Sequence, residues 1–143
     1  GKYVNPVTEG TFVMEDTPNI GESMVENPGI YCKSANVSVL AANGKTPLIT
    51  LNQFGAGKAM YLSSFRVSKE STRFLMRALL TLLGKEDKVR DYICDNLYTE
   101  CAYYEEIDKL VVINNSGDTQ KTIIKTAKGD VTVELAPFAT KIL

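Results

Sequence analysis

The residues of this chain whose types and spacing best suit acid–base chemistry are grouped carboxylates, and the chain has no imidazole. None of its 143 residues is histidine, which excludes Ser-His-Asp triads and Cys-His nucleophile pairs and removes the commonest transition-metal ligand. Two carboxylate groups remain, Glu15 with Asp16, and Glu105 with Glu106 and Asp108. Adjacent strand residues face opposite ways, and acidic reversals are ordinary turn chemistry. The sequence therefore predicts structural acidic turns and no catalytic residue.

A glycine-rich stretch, GAGK at residues 55–58, superficially matches a phosphate-binding loop. Asn52 stands where that motif needs its earlier glycine, and Ala59 stands where it needs serine or threonine. No helix start follows to offer amides and a dipole to a phosphate. We therefore predict a hairpin turn, since glycine supplies the positive φ angles of a tight reversal.

The three cysteines are Cys32, Cys94 and Cys101, an odd number at irregular spacing. They make neither a complete set of disulfides nor a four-ligand zinc site. The sequence predicts reduced thiols, no bound metal and no cofactor.

Tyr98, Tyr103 and Tyr104 are the candidate ligand-contacting residues. Amphipathic aromatic rings are favoured at wet recognition surfaces, and a cluster of them could stack on a sugar. Strand alternation predicts that one of Tyr103 and Tyr104 packs in the core and that the other is exposed.

The first part of the chain, which precedes the candidate residues of the β-rich half, is rich in turn-forming residues. Residues 1–30 predict loop with one or two short strands, because Asn-Pro, Pro-Asn and Pro-Gly dipeptides interrupt the apolar stretches. Strand composition follows at residues 30–33 and 37–42, and a hairpin is predicted from residues 48–54 and 58–65 around the glycines.

One helix is predicted after this hairpin. Ser68 is a suitable N-cap, Glu70 suits the first turn, and Gly84 suits the end. Apolar residues form a wide stripe that must be buried against a sheet; it comprises Phe74, Leu75, Met76, Ala78, Leu79, Leu80, Leu82 and Leu83.

The pattern changes after the helix. Residues 85–91 are a charged connection, and we place a domain boundary near Glu86. Beyond it, short strand-like runs alternate with turn dipeptides, which is typical of an antiparallel meander, sandwich or small barrel; they cover residues 92–94, 99–104, 109–114, 121–126, 131–135 and 140–143. Pro137 predicts a break between strands. The predicted fold class is α+β and predominantly β, with domains at 1–86 and 87–143.

Composition limits the partners. The 16 basic and 17 acidic residues leave a net charge of −1, so no basic footprint for nucleic acid exists. No apolar run approaches the roughly 20 residues that cross a bilayer, so no membrane partner is predicted. The N-terminus lacks a secretory pattern, and a leading Gly1 instead of methionine predicts a piece of a longer polypeptide.

Three stretches of the sequence resemble one family. NQFGAGKAMYLSSF at 52–65 and TRFLMRALL at 72–80 resemble the end of its central domain. ECAYY at 100–104, LVVINNS at 110–116 and LAPF at 135–138 resemble its terminal β-domain. The family is that of the bacterial galactosyl-N-acetylhexosamine phosphorylases, also called lacto-N-biose phosphorylases, with the related galactosyl-rhamnose phosphorylases.

The resemblance implies a cytoplasmic enzyme that cleaves a β-galactoside with inorganic phosphate, by inversion, to galactose 1-phosphate and a free sugar. It also implies that residues 1–86 end a glutamine-amidotransferase-like central domain and that residues 87–143 form the terminal β-domain. The family's catalytic acid lies in a preceding barrel domain, so no catalytic or phosphate-binding position transfers to this chain. The expected role is structural, with the upstream barrel as partner.

Two alternatives remain at the level of sequence. One is a carbohydrate-binding module, indicated by the tyrosines and the β-rich pattern. The other is the tail of a β-galactosidase-like glycosidase that shares these domains. If residues 1–86 are only the end of a central domain, their sheet has an open edge. That edge could pair with another copy of the chain, which would give a homo-oligomer.

Overall fold

The turn signals of the first half lie at reversals of the chain in the computed structural model, which describes residues 1–89 and 91–143. Strands β1 (Ser38–Asn43), β2 (Thr46–Phe54) and β3 (Gly57–Leu62) form an antiparallel sheet in the order β1-β2-β3. Gly44 and Gly55 occupy the two turns with φ angles of 55° and 58°. These glycines therefore supply the left-handed conformation that both hairpins require.

Helix α1 (Lys69–Leu82) begins and ends where the capping residues predict. The Ser68 side chain accepts a hydrogen bond from the amide of Ser71, and the Ser71 hydroxyl accepts one from the amide of Ser68. Gly84 follows the helix with a φ of 66°. Both ends of α1 are thus fixed by local chemistry.

The buried face of α1 differs from the predicted stripe. Phe74 and Ala78 are 0% and 3% exposed and join a core with strand residues such as Ile49. Leu79 and Leu83, which the stripe placed inside, are 51% and 67% exposed. The reason is that the helix also buries polar residues, namely Ser71, Arg77 and Thr81. Its inner face therefore runs through these residues and not through Leu79 and Leu83.

The N-terminal segment is held by contacts distant in sequence. It contains two short 3-10 turns, Phe12–Met14 and Ile20–Ser23, and isolated bridges join Tyr3 to Cys32 and Val7 to Val39. The strand predicted at 30–33 is therefore wrong as a regular strand, because Cys32 alone makes a bridge. Gly1–Glu86 form one compact unit.

The second unit, Asp87–Leu143, contains all the strands predicted after the helix. They are β4 (Ile93–Cys94), β5 (Thr99–Tyr104), β6 (Lys109–Asn114), β7 (Gln120–Thr126), β8 (Gly129–Leu135) and β9 (Thr140–Ile142). They form two antiparallel sheets in the orders β4-β7-β8 and β5-β6-β9.

One core joins the two sheets of this unit. Val112 comes from β6, Ile124 from β7 and Val133 from β8, and all three are at most 2% exposed. Alternating inward residues from two facing sheets define a β-sandwich. The predominantly β fold class with a single helix is confirmed among the described residues. The charged connection predicted at 85–91 falls partly on residue 90, which lies outside them.

Candidate functional site

The first carboxylate pair, Glu15 and Asp16, contacts two arginines of α1, the buried Arg77 and the half-buried Arg73. Arg77 is 4% exposed, and its Nε donates to Asp16 Oδ2 at 2.7 Å. Its Nη1 donates to Glu15 Oε2 and to the carbonyl of Phe12, both at 3.1 Å. Arg73 Nη1 lies 3.5 Å from the same Asp16 oxygen. This pair therefore fastens the first 3-10 turn to α1 and is not placed as an acid and a base.

The Arg77 guanidinium also lies over the Phe12 ring, with its carbon 4.5 Å from the ring centroid. A cation over an aromatic face gains electrostatic attraction, and the gain is larger where water is excluded. The ion pairs, the Phe12 carbonyl and the Phe12 ring together stabilise the guanidinium charge of Arg77, which would be costly to bury without partners.

The second carboxylate group surrounds a 3-10 turn, Glu105–Ile107, that precedes β6. Asp108 follows it in the left-handed region with a φ of 48°. Its Oδ1 accepts a hydrogen bond from Tyr103 Oη at 2.6 Å, and Lys128 Nζ lies 3.3 Å from the same oxygen. The turn is exposed, as predicted, and Asp108 links it to β5.

These contacts shift two pKa values in opposite directions. The hydrogen bond from Tyr103, followed by the contact with Lys128, lowers the pKa of Asp108. The same hydrogen bond raises the pKa of Tyr103, because the phenolate would lose its acceptor and face a carboxylate. At neutral pH the Asp108 carboxyl is therefore ionised and the Tyr103 phenol is neutral.

The three candidate tyrosines do not share one surface. Tyr103 lies on the side of β5 that packs at the margin of the core, whereas Tyr104 points outward and is 50% exposed. Tyr98 is 41% exposed at the other end of β5. Tyr98 and Tyr103 are five positions apart, which is about 17 Å at the usual rise per strand residue.

Tyr92 is the aromatic residue that sequence reasoning missed. Its ring stacks on that of Tyr103, with centroids 4.1 Å apart and planes inclined by 5°. It precedes β4 in one sheet, and Tyr103 lies in β5 of the other. No local pattern relates residues of different sheets, so no signal in the sequence could have paired them.

The Asn114 side chain holds the connection between β6 and β7, two strands that lie in different sheets. Asn114 is 1% exposed, and its Nδ2 donates to the carbonyls of Asp118 at 2.7 Å and Ala136 at 2.9 Å. Its Oδ1 accepts from the amide and the hydroxyl of Ser116 at 2.9 Å and 2.8 Å. The side chain thereby ties β6 to the two connections that follow β6 and β8.

The GAGK stretch is a hairpin turn between β2 and β3, as predicted. Lys58 Nζ donates to the carbonyl of Thr81 in the last turn of α1 at 3.2 Å. An ammonium group at a helix C-terminus is favourable, because the free carbonyls there carry partial negative charge. This lysine therefore binds the protein's own backbone and does not face a phosphate cradle.

Surface grooves of about 510 and 670 Å³ adjoin each other on the first unit. Their shared lining is mostly apolar and includes Val7, Pro18 and Leu40. Two carboxylates line each groove, Glu22 with Glu26 and Glu9 with Glu15. Across residues 1–89 and 91–143, no group of three or more His, Cys, Asp or Glu side chains is arranged to hold a metal ion. The three cysteines form no disulfide there, and no helix is long and apolar enough to cross a bilayer.

The fold and these clusters define a two-unit, β-rich protein in which several ionisable groups, among them Arg77, Asp16 and Asp108, fasten segments of each unit together. A sequence model described as the lacto-N-biose phosphorylase central domain matches residues 1–87. A second, described as the lacto-N-biose phosphorylase C-terminal domain, matches residues 92–143. The chain therefore belongs to the lacto-N-biose phosphorylase family, which confirms the resemblance seen in its motifs.

Individual relatives agree with the family match. A D-galactosyl-β-1→4-L-rhamnose phosphorylase of Lachnoclostridium phytofermentans is 35% identical over 114 residues, which cover 80% of this chain and 16% of the relative. A 1,3-β-galactosyl-N-acetylhexosamine phosphorylase of the same organism is 31% identical over 121 residues, 82% of this chain and 16% of the relative. A 1,3-β-galactosyl-N-acetylhexosamine phosphorylase of Bifidobacterium longum subsp. longum is 32% identical over 99 residues, which cover 69% of this chain and 13% of the relative. The matched segment is thus about one sixth of each relative or less.

Proposed function

We propose that this chain is the non-catalytic C-terminal segment of a longer glycoside phosphorylase. The parent cleaves β-galactosyl-N-acetylhexosamine, or galactosyl-rhamnose, with inorganic phosphate and inversion to give galactose 1-phosphate and the free sugar. The observation that carries the proposal is the consecutive match of the family's central and C-terminal domains over residues 1–87 and 92–143. The names of the relatives supply the two candidate substrates.

The contribution of this segment is packing and stability rather than chemistry. Both carboxylate groups support this assignment, since Glu15 and Asp16 hold Arg77 and Asp108 holds Tyr103 and Lys128. The catalytic acid lies in an upstream barrel domain, which is the principal partner of this chain. The parent acts in the cytoplasm, in agreement with the reduced state predicted for the three cysteines.

The first test asks whether the chain itself turns over substrate. The purified chain is incubated with galactosyl-N-acetylhexosamine disaccharides or galactosyl-rhamnose and phosphate, and galactose 1-phosphate is measured. The rate is expected to equal that of the buffer control, and the intact L. phytofermentans relative is the positive control. Release above the buffer control that scales with chain concentration would show that the segment is catalytic.

The second test asks whether the segment completes a phosphorylase. In a chimaera, the part of the L. phytofermentans galactosyl-rhamnose phosphorylase that aligns with this chain is replaced by residues 1–143. We expect the deletion of that part to abolish soluble, active enzyme and the chimaera to restore it. A chimaera as inactive as the deletion would contradict the proposed function.

A second candidate function is sugar binding at the tyrosines of the β-sandwich. The observation in its favour is that Tyr98 and Tyr104 are 41% and 50% exposed, although Tyr103 already stacks on Tyr92. Tyrosine NMR signals are followed during titration with galactose, lacto-N-biose and galactosyl-rhamnose. Shifts confined to Tyr98, Tyr103 or Tyr104 would support binding, and unchanged signals at millimolar sugar would eliminate it.

A further inference from the structure

Helix α1 carries apolar side chains on two faces. The inner face packs on the sheet through Phe74 and Ala78. A second set of apolar residues, here called the outer face, is exposed to solvent. Its members are Leu75, Met76, Leu79 and Leu83, with exposed fractions of 37%, 40%, 51% and 67%.

The outer face is continuous and uncharged. Leu75, Leu79 and Leu83 are spaced by four residues, so they line one side of the helix, and Met76 lies beside them. The one charged residue between positions 74 and 83 is Arg77, which is buried against Asp16. Between Leu75 and Leu83, this side of the helix therefore presents no charged group to the solvent.

The stretch from Phe74 to Leu83 has the composition of a buried helix, whereas the first turn of α1 is polar. A helix at the surface of a globular protein has one apolar stripe and an opposite polar face, whereas a helix that is apolar all round is covered on every side. Contiguous exposed apolar surface marks an interaction site. The core of the first unit is closed without the outer face, since none of its four residues belongs to that core. The outer face is therefore available for contact with another polypeptide segment.

We propose that the outer face of α1 is the docking surface for the part of a phosphorylase polypeptide that precedes this segment. The inference rests on the proposed function. The matched stretch is 16% of the galactosyl-rhamnose phosphorylase, so most of that polypeptide is available to cover the helix. The unit that contains α1 matches a domain described as the central one of the family, and a central domain has further polypeptide on both sides.

The chemistry of the outer face specifies its partner. Four flexible or branched aliphatic side chains without a charge fit an apolar surface of Leu, Ile, Val or Phe side chains. Arg73 and Arg77 are held by Asp16, so no ion pair across the interface is required. We expect the association to persist at high salt, which screens exposed ion pairs but strengthens apolar burial.

The chimaera described above tests this surface by substitution. Leu79→Glu with Leu83→Glu places two charges on the outer face, and Ile107→Glu in the second unit is the control because Ile107 is 65% exposed, like Leu83. We expect the double variant to lose at least tenfold in specific phosphorolysis or soluble yield, and the control to match the unsubstituted chimaera. Both free chains should keep the circular dichroism and urea midpoint of the unsubstituted chain.

The outcomes separate the two proposals. If the unsubstituted chimaera is inactive while the intact relative is active, the proposed function fails. If the unsubstituted and double-variant chimaeras are equally active and soluble, the docking surface is wrong and the proposed function stands. Equal losses in the double variant and in Ile107→Glu would also overturn the docking surface, because the effect would not be specific to α1.

Methionine oxidation provides a measurement that needs no substitution. Met76 is 40% exposed and Met14 is 8% exposed, so hydrogen peroxide should oxidise Met76 rapidly and Met14 slowly in the free chain. In the chimaera we expect the oxidation rate of Met76 to fall at least fivefold, and Met14 to stay slow. An unchanged Met76 rate would overturn the proposal.

A second copy of this chain is the competing occupant. Light scattering during size-exclusion chromatography gives the mass of the free chain. A dimer that dissociates on Leu79→Glu with Leu83→Glu, together with a chimaera indifferent to the same substitutions, would assign the outer face to self-association. A monomeric free chain with a substitution-sensitive chimaera supports the upstream segment.

Discussion

Arg77 shows how one residue can hold a distant segment. It lies in the buried face of α1 at 4% exposure and bonds to Asp16 and Glu15, some 60 positions earlier. The sequence placed an arginine within an apolar run and a pair of carboxylates near the N-terminus, but no local rule joins residues that far apart. The sequence predicted a structural role for these carboxylates, but it could not predict Arg77 as the partner of Glu15 and Asp16.

Arg77→Met should destabilise the first unit. The substitution keeps much of the side-chain volume but leaves Asp16, which is 17% exposed, without its closest partner. Breaking a buried ion pair by removing one member costs about 3 kcal/mol. Urea denaturation measures the loss, and Lys69→Met is the control because its pair with Glu70 is at the surface at 3.6 Å. The control should change stability by about 0.5 kcal/mol or less, and equal effects would contradict the assigned role of Arg77.

Tyr103 and Asp108 should give the second unit a pH dependence at both extremes. The folded-state pKa of Tyr103 is raised, so its contribution to stability is complete below the unfolded value of about 10 and is lost as the pH rises past it. The folded-state pKa of Asp108 is lowered, so its contribution is present above the unfolded value of about 4 and is lost as the pH falls.

Asp108→Asn tests this pair. Removing the carboxylate charge should lower the pKa of Tyr103 toward the usual phenol value of about 10, as measured by NMR of the tyrosine ring carbons during titration. It should also weaken the loss of stability above that pH. Glu106→Gln, in the same exposed turn, is the control and should leave the Tyr103 titration unchanged. A Tyr103 titration unaffected by Asp108→Asn would refute the hydrogen bond as the cause.

At the scale of elements, the ends of the helix and strands were easier to predict than the face of the helix that is buried. Ser68 and Gly84 mark the start and end of α1 because capping is a local interaction. The strands of the second unit follow the predicted runs closely because alternation and turn residues are also local. The buried face of α1 was not predictable, since Leu79 and Phe74 are both suitable core residues and only their neighbours in space decide between them.

Ser68→Ala should weaken α1 through its N-terminus. The serine side chain accepts a hydrogen bond from the Ser71 amide at 3.0 Å, and loss of an N-cap costs about 1 kcal/mol. Thermal or urea unfolding measures this loss. Thr72→Ala in the same turn is the control, because its hydroxyl bonds back to the Ser68 carbonyl, an interaction that adds little to helix stability. A loss no larger for Ser68→Ala than for the control would exclude a capping role.

At the scale of the whole molecule, each unit has its own core. The core of the first unit includes Val13, Ile49 and Phe74, and that of the second includes Val112 and Ile124. The predicted β-rich fold class is observed because the periodic signals were strong after the helix. The path of residues 1–37 could not be predicted, because it depends on contacts such as those of the Asn5 amide with the carbonyls of Ser34 and Val37.

The central claim is that this segment completes a phosphorylase without touching its substrate. The most direct measurement compares the chimaera with the intact L. phytofermentans galactosyl-rhamnose phosphorylase by steady-state kinetics with galactosyl-rhamnose and with galactosyl-N-acetylhexosamine. We expect both enzymes to have the same KM values, within about twofold, and the same preference between the two substrates, because binding energy that changes KM comes from groups in contact with substrate. A chimaera whose substrate preference shifts, or whose KM for either disaccharide changes tenfold, would contradict the structural role assigned to this chain.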